Sequence, residues 1–202
     1  MMDIEVFNKV LFFWFIFYIT PGPVWLAVMV TTAKKSSRQI IGFFLSVFLA
    51  VNLIVQAPQA FISVVFIDTV MRLFGEIGFI FYFLGGAYIF YLAIKALKAH
   101  QAESTLQLSF GNLMLIMLLS PKIWILFPSG ALIANQLGLG LMANASIYAL
   151  TMFIISSVFF FFYVMVGKVG QKILKDNFAY LVFLLLSGFA IFLLFEGVQA
   201  IL

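Results

Sequence analysis

Residues 8–32 read NKVLFFWFIFYITPGPVWLAVMVTT, and this stretch decides the class of fold. It contains one charged residue, Lys9, and it exceeds the roughly 20 apolar residues that a helix needs to cross a hydrocarbon core. Pro21 and Pro23 interrupt it near the middle, because neither has a backbone N–H group to continue a helix. The stretch therefore predicts a membrane helix that is broken partway along its length.

The rest of the chain has the same apolar character. Its 202 residues are 65% hydrophobic and 9% charged, whereas a soluble domain carries about 25% charged residues. Short connections join the apolar stretches, so we predict one transmembrane domain over residues 1–202, all-α, with six membrane helices. The six stretches run roughly over residues 8–32, 39–66, 77–97, 108–133, 144–167 and 178–200.

The basic residues are distributed unequally between the two sides of the predicted bundle. Lys9 and Arg72 fall on one side, and eight others fall in the three connections of the opposite side. The positive-inside rule places those three connections in the cytoplasm and both termini outside. The eight are Lys34, Lys35, Arg38, Lys95, Lys98, Lys168, Lys172 and Lys175.

Two sequence features recur in the two halves of the chain. Pro21 and Pro121 lie 100 residues apart, and each interrupts an apolar stretch. The segments GAYIFYL at 86–92 and GFAIFLL at 188–194 share Gly, Ile, Phe and Leu at an offset of 102. Since three helices per half is an odd number, we predict two inverted repeats, residues 1–100 and 101–202, with helices 1 and 4 both broken at proline.

The first break frees backbone groups inside the membrane. Pro21 and Pro23 leave the carbonyls of Phe17 and Ile19 without helical partners, so these need other donors or a wet cavity. A helix that restarts after the break presents N–H groups and a positive dipole end, which suit a carboxylate. The structural alternative is a proline kink that serves only packing.

The second break places a charge deep in an apolar stretch. Lys122 follows Pro121, and a lysine at the bilayer centre costs about 2.5–3.5 kcal/mol on insertion scales. We expect it to face a cavity, where it binds a substrate carboxylate, pairs with an acid or titrates during transport. The alternative is a side chain that extends along the helix to the interface.

Helix 2 carries a polar stripe. Asn52, Gln56, Gln59 and Ser63 share one helical face at spacings of four, three and four. The stripe either lines a hydrated path or makes interhelical hydrogen bonds, and the sequence leaves both open.

Three glycines and the scarcity of cysteine and histidine also bear on the fold and the function. Gly85, Gly86 and Gly188 are expected to permit close helix packing. The chain has no cysteine, one histidine and no Walker motif, so we expect no enzyme, no cofactor and no metal site. The net charge of +4 reflects membrane orientation rather than nucleic-acid binding.

Four segments, in this order, resemble the motifs of the LysE/RhtB amino-acid exporters. They are Thr20-Pro21-Gly22-Pro23, the segment 86–92 with Lys95, Ser120-Pro121-Lys122, and the segment that begins at Ser187-Gly188-Phe189. The third is similar to the family's Asn-Pro-Lys but has serine in the first position.

The resemblance implies secondary export of amino acids or related metabolites across a bacterial cytoplasmic membrane, driven by the membrane potential or by a proton gradient. Asn52 falls near a position where some members carry an acid, so the resemblance favours a neutral rather than a cationic substrate.

We therefore predict an exporter of a small neutral amino acid or derivative in the lipid bilayer, with H+ as coupling ion and a homodimer as one candidate oligomeric state. Two alternatives stay open: a metal cation exporter and a non-transporting membrane scaffold subunit. The predicted substrate-binding residues are Thr20, Pro21, Gly22, Pro23, Asn52, Gln56, Ser120, Pro121 and Lys122.

Overall fold

The computed structural model describes residues 2–101, 108–175 and 177–201, and within these ranges the chain forms helices and turns without a strand. The connection between the two predicted halves, at 102–107, lies outside the described residues. The helices are α1 Ile4–Ile19, α2 Pro23–Ala33, α3 Ser37–Val65, α4 Ile67–Gln101, α5 Phe110–Leu118, α6 Pro121–Ala134, α7 Leu141–Leu174 and α8 Asn177–Gln199.

The helices have the lengths and composition of a multi-pass membrane protein. Helices α3, α4, α7 and α8 are each long and apolar enough to cross a bilayer. Helices α1 and α2 form a pair bent by 61°, and α5 and α6 form a second pair bent by 61°. The number of spans is six if each bent pair crosses once. The breaks fall at the predicted prolines.

Two helices are longer than their apolar stretches predict. Helix α4 begins at Ile67 rather than near residue 77, and α7 extends over Leu141–Leu174 rather than 144–167. Hydropathy marks only the part that suits hydrocarbon, whereas the backbone ladder continues through charged turns. Asp68 in the first turn of α4 suits the positive end of that helix.

Helix α3 contains two widened π-helical segments, Phe44–Phe48 and Asn52–Gln56. In the second, the Ala57 N–H group donates to the Asn52 carbonyl, five residues back, just before Pro58. The polar stripe nevertheless stays on one face, and all four of its side chains are buried. The stripe therefore points into the protein rather than toward lipid.

Helix α7 is the central element of the bundle. It packs against α1, α2, α3 and α6, while α4 and α8 pair along their length at one side. Trp14 of α1 is fully buried, with its ring 4.5 Å from that of Tyr148 and 4.9 Å from that of Phe127. The outer surface is apolar, as lipid requires: Phe12 is 65% exposed and Leu184 is 65% exposed.

Glycine allows two close helix contacts. A Cβ atom at Gly167 of α7 would lie 2.8 Å from the carbonyl oxygen of Met29 in α2, and one at Gly86 would lie 3.1 Å from that of Ala190. The predicted packing role is thus confirmed for Gly86. It is wrong for Gly188, which is exposed and whose Cβ would meet nothing within 4 Å.

These glycines provide a matched pair of variants. We expect Gly167→Ala to lower the free energy of unfolding by about 1–3 kcal/mol, because the backbone of α2 must move away from α7. Gly188→Ala has open space and gains helix propensity, so we expect no loss and a gain of up to about 1 kcal/mol. Unfolding of the purified protein in detergent micelles measures both. Equal effects of the two variants would contradict the packing argument.

Candidate functional site

The first break lies between α1 and α2. Helix α1 ends at Ile19, and α2 restarts at Pro23 with Gly22 as its N-cap. Gly22 has extended backbone angles, φ −139° and ψ 178°, and a Cβ there would meet nothing within 4 Å. The glycine is therefore not required by its backbone angles. Its effect is to leave open space beside the restarting helix.

The carbonyls at the end of α1 receive donors from two other helices. Lys122 Nζ of α6 donates to the Phe17 carbonyl at 2.7 Å and to the Thr20 carbonyl at 3.1 Å. The Tyr163 hydroxyl of α7 lies 2.9 Å from the Ile19 carbonyl and 3.2 Å from that of Tyr18. The carbonyls of Phe17 and Ile19 have thus lost their helical partners, as the two prolines predict, and they accept hydrogen bonds from these side chains instead.

Lys122 is held by acceptors that suit a cation. Besides the two carbonyls, its ammonium lies 4.4 Å from the centroid of the Phe17 ring. The C-terminal end of α1 also carries partial negative charge. Of the predicted roles, pairing with an acid has no support among the described residues, where the ion pair found is between Lys9 and Glu5. The half-buried side chain reaches across to α1.

The second break uses a neutral donor. Helix α5 ends at Leu118, α6 restarts at Pro121, and the indole N–H of Trp124 donates to the Leu118 carbonyl at 2.7 Å. Gly85 of α4 lies directly against this break, since a Cβ at that position would collide with the Leu119 carbonyl oxygen. The predicted packing role of Gly85 is thereby confirmed, and the contact fixes α4 to the break.

A small cavity lies between the two breaks. Five predicted site residues line it: Gly22, Pro23, Gln56, Ser120 and Lys122. The volume open to the centre of a water-sized sphere is about 30 Å³. Since one water needs roughly 10–15 Å³ on this measure, the cavity has room for two or three waters. An amino acid does not fit in this conformation.

The remaining predicted residues lie around the cavity rather than in its wall. Thr20 contributes its carbonyl to Lys122, and Pro21 is exposed on the far side of the break. Pro121 is buried as the first residue of α6. Asn52 lies farther along α3, where its Nδ2 donates to the Ser156 hydroxyl at 3.2 Å.

Several cavity residues were missed by the sequence analysis. Tyr18 and Trp25 flank the first break in the sequence and line the cavity, so their position was a signal that could have identified them. Phe17 and Met117 also line it. Tyr163 comes from a distant helix, and a tyrosine in an apolar stretch carries no local mark of this contact.

The two restarting helices begin without side-chain caps, as does α7 after Gly140, whereas three other helices are capped. Asp3, Ser36 and Ser109 each cap the helix that follows them. Neither Gly22 nor Ser120 supplies a side-chain cap. Residues of both helix starts line the cavity, and free N–H groups at a helix start favour an anion.

The polar stripe of α3 is only partly satisfied by protein partners. Gln56 Oε1 accepts a hydrogen bond from the Tyr18 hydroxyl at 3.2 Å. Both side-chain polar atoms of Gln59 and the Oδ1 atom of Asn52 are buried without a hydrogen-bond partner. Buried amides without partners are costly. Interhelical hydrogen bonding thus accounts for Gln56 Oε1 and Asn52 Nδ2 but not for Asn52 Oδ1 or Gln59.

Comparison of the chain with protein-family models, with curated proteins and with solved structures found no match.

The Tyr163 contact is open to a direct test. We expect Tyr163→Phe to lower the free energy of unfolding by about 1–2 kcal/mol, because a buried carbonyl at the end of α1 loses its donor. Tyr91→Phe is the matched control, since this side chain is 54% exposed. Unfolding in micelles measures both variants. If Tyr163→Phe is as stable as the control, the hydroxyl is not needed at the break.

Proposed function

We propose that this protein is a secondary exporter, not an enzyme, and that it moves a small neutral amino acid or derivative out of the cytoplasm. The observation that carries the proposal is the contact of Lys122 with the carbonyls of Phe17 and Thr20, because it joins the two broken helices. Discontinuous helices that meet inside a bundle are a common way to build a transport site.

The chemistry of the cavity suits the carboxylate of an amino acid. Pro23 has no N–H group, so the first backbone donors of α2 are those of Val24 and Trp25, and both residues line the cavity. The apolar remainder of the wall includes Phe17 and Met117, which suit a small aliphatic side chain. A neutral zwitterion combines these two requirements.

Helix packing supports the inverted repeat. Matching the helices in order pairs α1 with α5, α2 with α6, α3 with α7 and α4 with α8. Under this exchange the contact of α2 with α7 becomes that of α6 with α3, and the contact of α2 with α8 becomes that of α6 with α4. All of these contacts are present, as are those of α1 with α7 and of α5 with α3. An approximate two-fold axis between the halves accounts for the pattern.

The proposed orientation follows from the charges. If each bent pair is one span, the three basic connections lie on the same side, which the positive-inside rule places in the cytoplasm. Both termini are then external. This arrangement has the polarity of a bacterial cytoplasmic membrane protein.

In this proposal the described conformation is not the loaded state, because the cavity is small. The space beside the Lys122 contact is about 30 Å³. Binding of an amino acid therefore requires the two breaks to separate. Rocking of one half against the other, as in alternating access, would open the site to one side at a time.

Efflux from bacterial cells tests the proposal. Cells with and without the protein are loaded with dipeptides that each release one neutral amino acid, and the amino acids in the medium are measured over time. We expect faster release of at least one of them from the cells that contain the protein. Equal release for every dipeptide would refute amino-acid export.

A variant at Gly22 tests the location of the site. A leucine there extends into the open space beside α2, so we expect Gly22→Leu to reduce efflux at least tenfold with normal membrane insertion. Gly75→Leu is the control, because a Cβ at Gly75 also meets nothing within 4 Å, although Gly75 is exposed on α4 whereas Gly22 is buried beside the cavity. Efflux that is equal in the two variants would exclude this cavity as the site.

The alternatives make different predictions. A metal cation exporter would change metal tolerance and leave amino-acid efflux unchanged, and among the described residues no group of three or more His, Cys, Asp or Glu side chains favours it. A scaffold subunit would tolerate both Gly22→Leu and replacement of Lys122.

A further inference from the structure

This inference rests on the proposed function and concerns the amino group of the substrate. A zwitterion that places its carboxylate at the start of α2 also brings an ammonium, which needs acceptors close by. No aspartate or glutamate lines the cavity. The Oε1 atom of Gln56 already accepts from Tyr18. The strongest acceptors at the site are thus the carbonyls at the negative end of α1.

Those carbonyls already accept hydrogen bonds from a side-chain amine of the protein, that of Lys122. Lys122 Nζ donates to the carbonyls of Phe17 and Thr20 at 2.7 and 3.1 Å, which are hydrogen-bond distances for a protonated amine. The Lys122 side chain and the amino group of the substrate have the same chemistry. Two ammonium groups on one pair of carbonyls would repel each other.

We propose that Lys122 and the amino group of the substrate compete for the carbonyl oxygens of Phe17 and Thr20, so that the amino acid binds when Lys122 has given up its proton. Transport is then a one-for-one exchange of a zwitterion for a proton. The protonated lysine holds the empty site closed, because it pins α6 to α1.

The proton balance of the cycle is simple. On the cytoplasmic side the Lys122 ammonium transfers one proton to water, the N–H electron pair stays on Nζ as the lone pair of a neutral amine, and the substrate ammonium takes its place at the carbonyls. On the external side the substrate leaves, and Nζ takes a proton from water. One proton enters the cell for each amino acid that leaves.

The surroundings of Lys122 contain no other described group suited to this exchange. The titratable side chains that face the break are Tyr18 from α1 and Tyr163 from α7, and α3 contributes the neutral Gln56. Helix α4 approaches the second break at Gly85. Its nearest charged residues toward either end, Glu76 and Lys95, are nine and ten residues away, which is roughly 13–15 Å along a helix. The proton therefore passes directly between Lys122 and water.

Reconstituted protein tests the competition. Proteoliposomes are assayed with a labelled mixture of L-alanine, L-threonine, L-valine and L-leucine, in exchange mode without a gradient and in accumulation driven by a pH gradient. In the wild type we expect both activities, and an apparent KM for exchange that rises by up to about tenfold for each unit of falling pH. The N-acetylated forms of the same amino acids lack an ammonium and should not compete.

Variants of Lys122 separate binding from coupling. Lys122→Gln keeps a neutral donor for the carbonyls, so we expect exchange that is slower than in the wild type but measurable, no accumulation driven by the pH gradient and a KM independent of pH. Lys122→Arg keeps a cation that does not lose its proton, so we expect both activities to be lost. Lys98→Gln removes a lysine at the exposed end of α4 and should behave as the wild type.

The outcomes distinguish this inference from the proposed function. Accumulation driven by the pH gradient in Lys122→Gln, loss of exchange in a folded Lys122→Gln protein, or competition by the N-acetylated amino acids would each overturn the competition. Absence of any amino-acid exchange by the wild type would overturn the proposed function as well. If Lys122→Gln does not fold, the pH dependence of the wild-type KM decides, and a KM independent of pH would overturn the inference.

Discussion

A helix that stops inside a membrane leaves carbonyl oxygens without helical partners, and in this chain two other helices supply donors. Lys122 of α6 and Tyr163 of α7 together reach the four carbonyls from Phe17 to Thr20. The Tyr163 ring also stacks on Trp25, with 4.8 Å between centroids, so that α2 is fixed by the same side chain. The break in α1 therefore sets where α2, α6 and α7 lie, because each unpaired carbonyl would otherwise cost several kcal/mol in hydrocarbon.

The same constraint explains why the site faces inward. A break inside a membrane is tolerated only where protein or a wet cavity covers it. The uncapped starts of α2 and α6 must then lie in the interior, together with the polar stripe of α3. The buried Gln59 amide, which has no protein partner, marks this interior as a place that protein alone does not satisfy. Because the two breaks must be kept away from lipid, the outer surface is apolar, and buried polar groups without hydrogen-bond partners lie in the interior.

The features that sequence predicts well here are local ones. Hydrophobicity predicts the six apolar stretches, and the prolines predict the two breaks. Each of these features depends only on residues that are neighbours in the sequence. Contacts between distant helices are different. Tyr163 and Gly167 make contacts that depend on which helix packs against α7, whereas Gly188 has the same local pattern as Gly86 and faces open space. The π-helical segment Asn52–Gln56 could not be predicted from the spacing of the polar residues either. These residues are buried on one face, and the same spacing fits an α-helix and a π-helix.

At both breaks, carbonyl oxygens at a helix end need hydrogen-bond donors, but the donors differ. The type of donor determines how easily the hydrogen bonds at each break can be released. At the second break the indole of Trp124 donates to Leu118 on the preceding half of the same bent pair, and Gly85 packs against the adjacent carbonyl. That donor is neutral, rigid and local, so it holds the break in one geometry. At the first break one of the two donors, Lys122, is a charged, flexible side chain from the other half of the chain. A contact of this kind weakens when the charge is removed or when another cation takes its acceptors. Any movement of α6 relative to α1 should therefore begin at the end of α1, whereas the second break keeps its contact with α4.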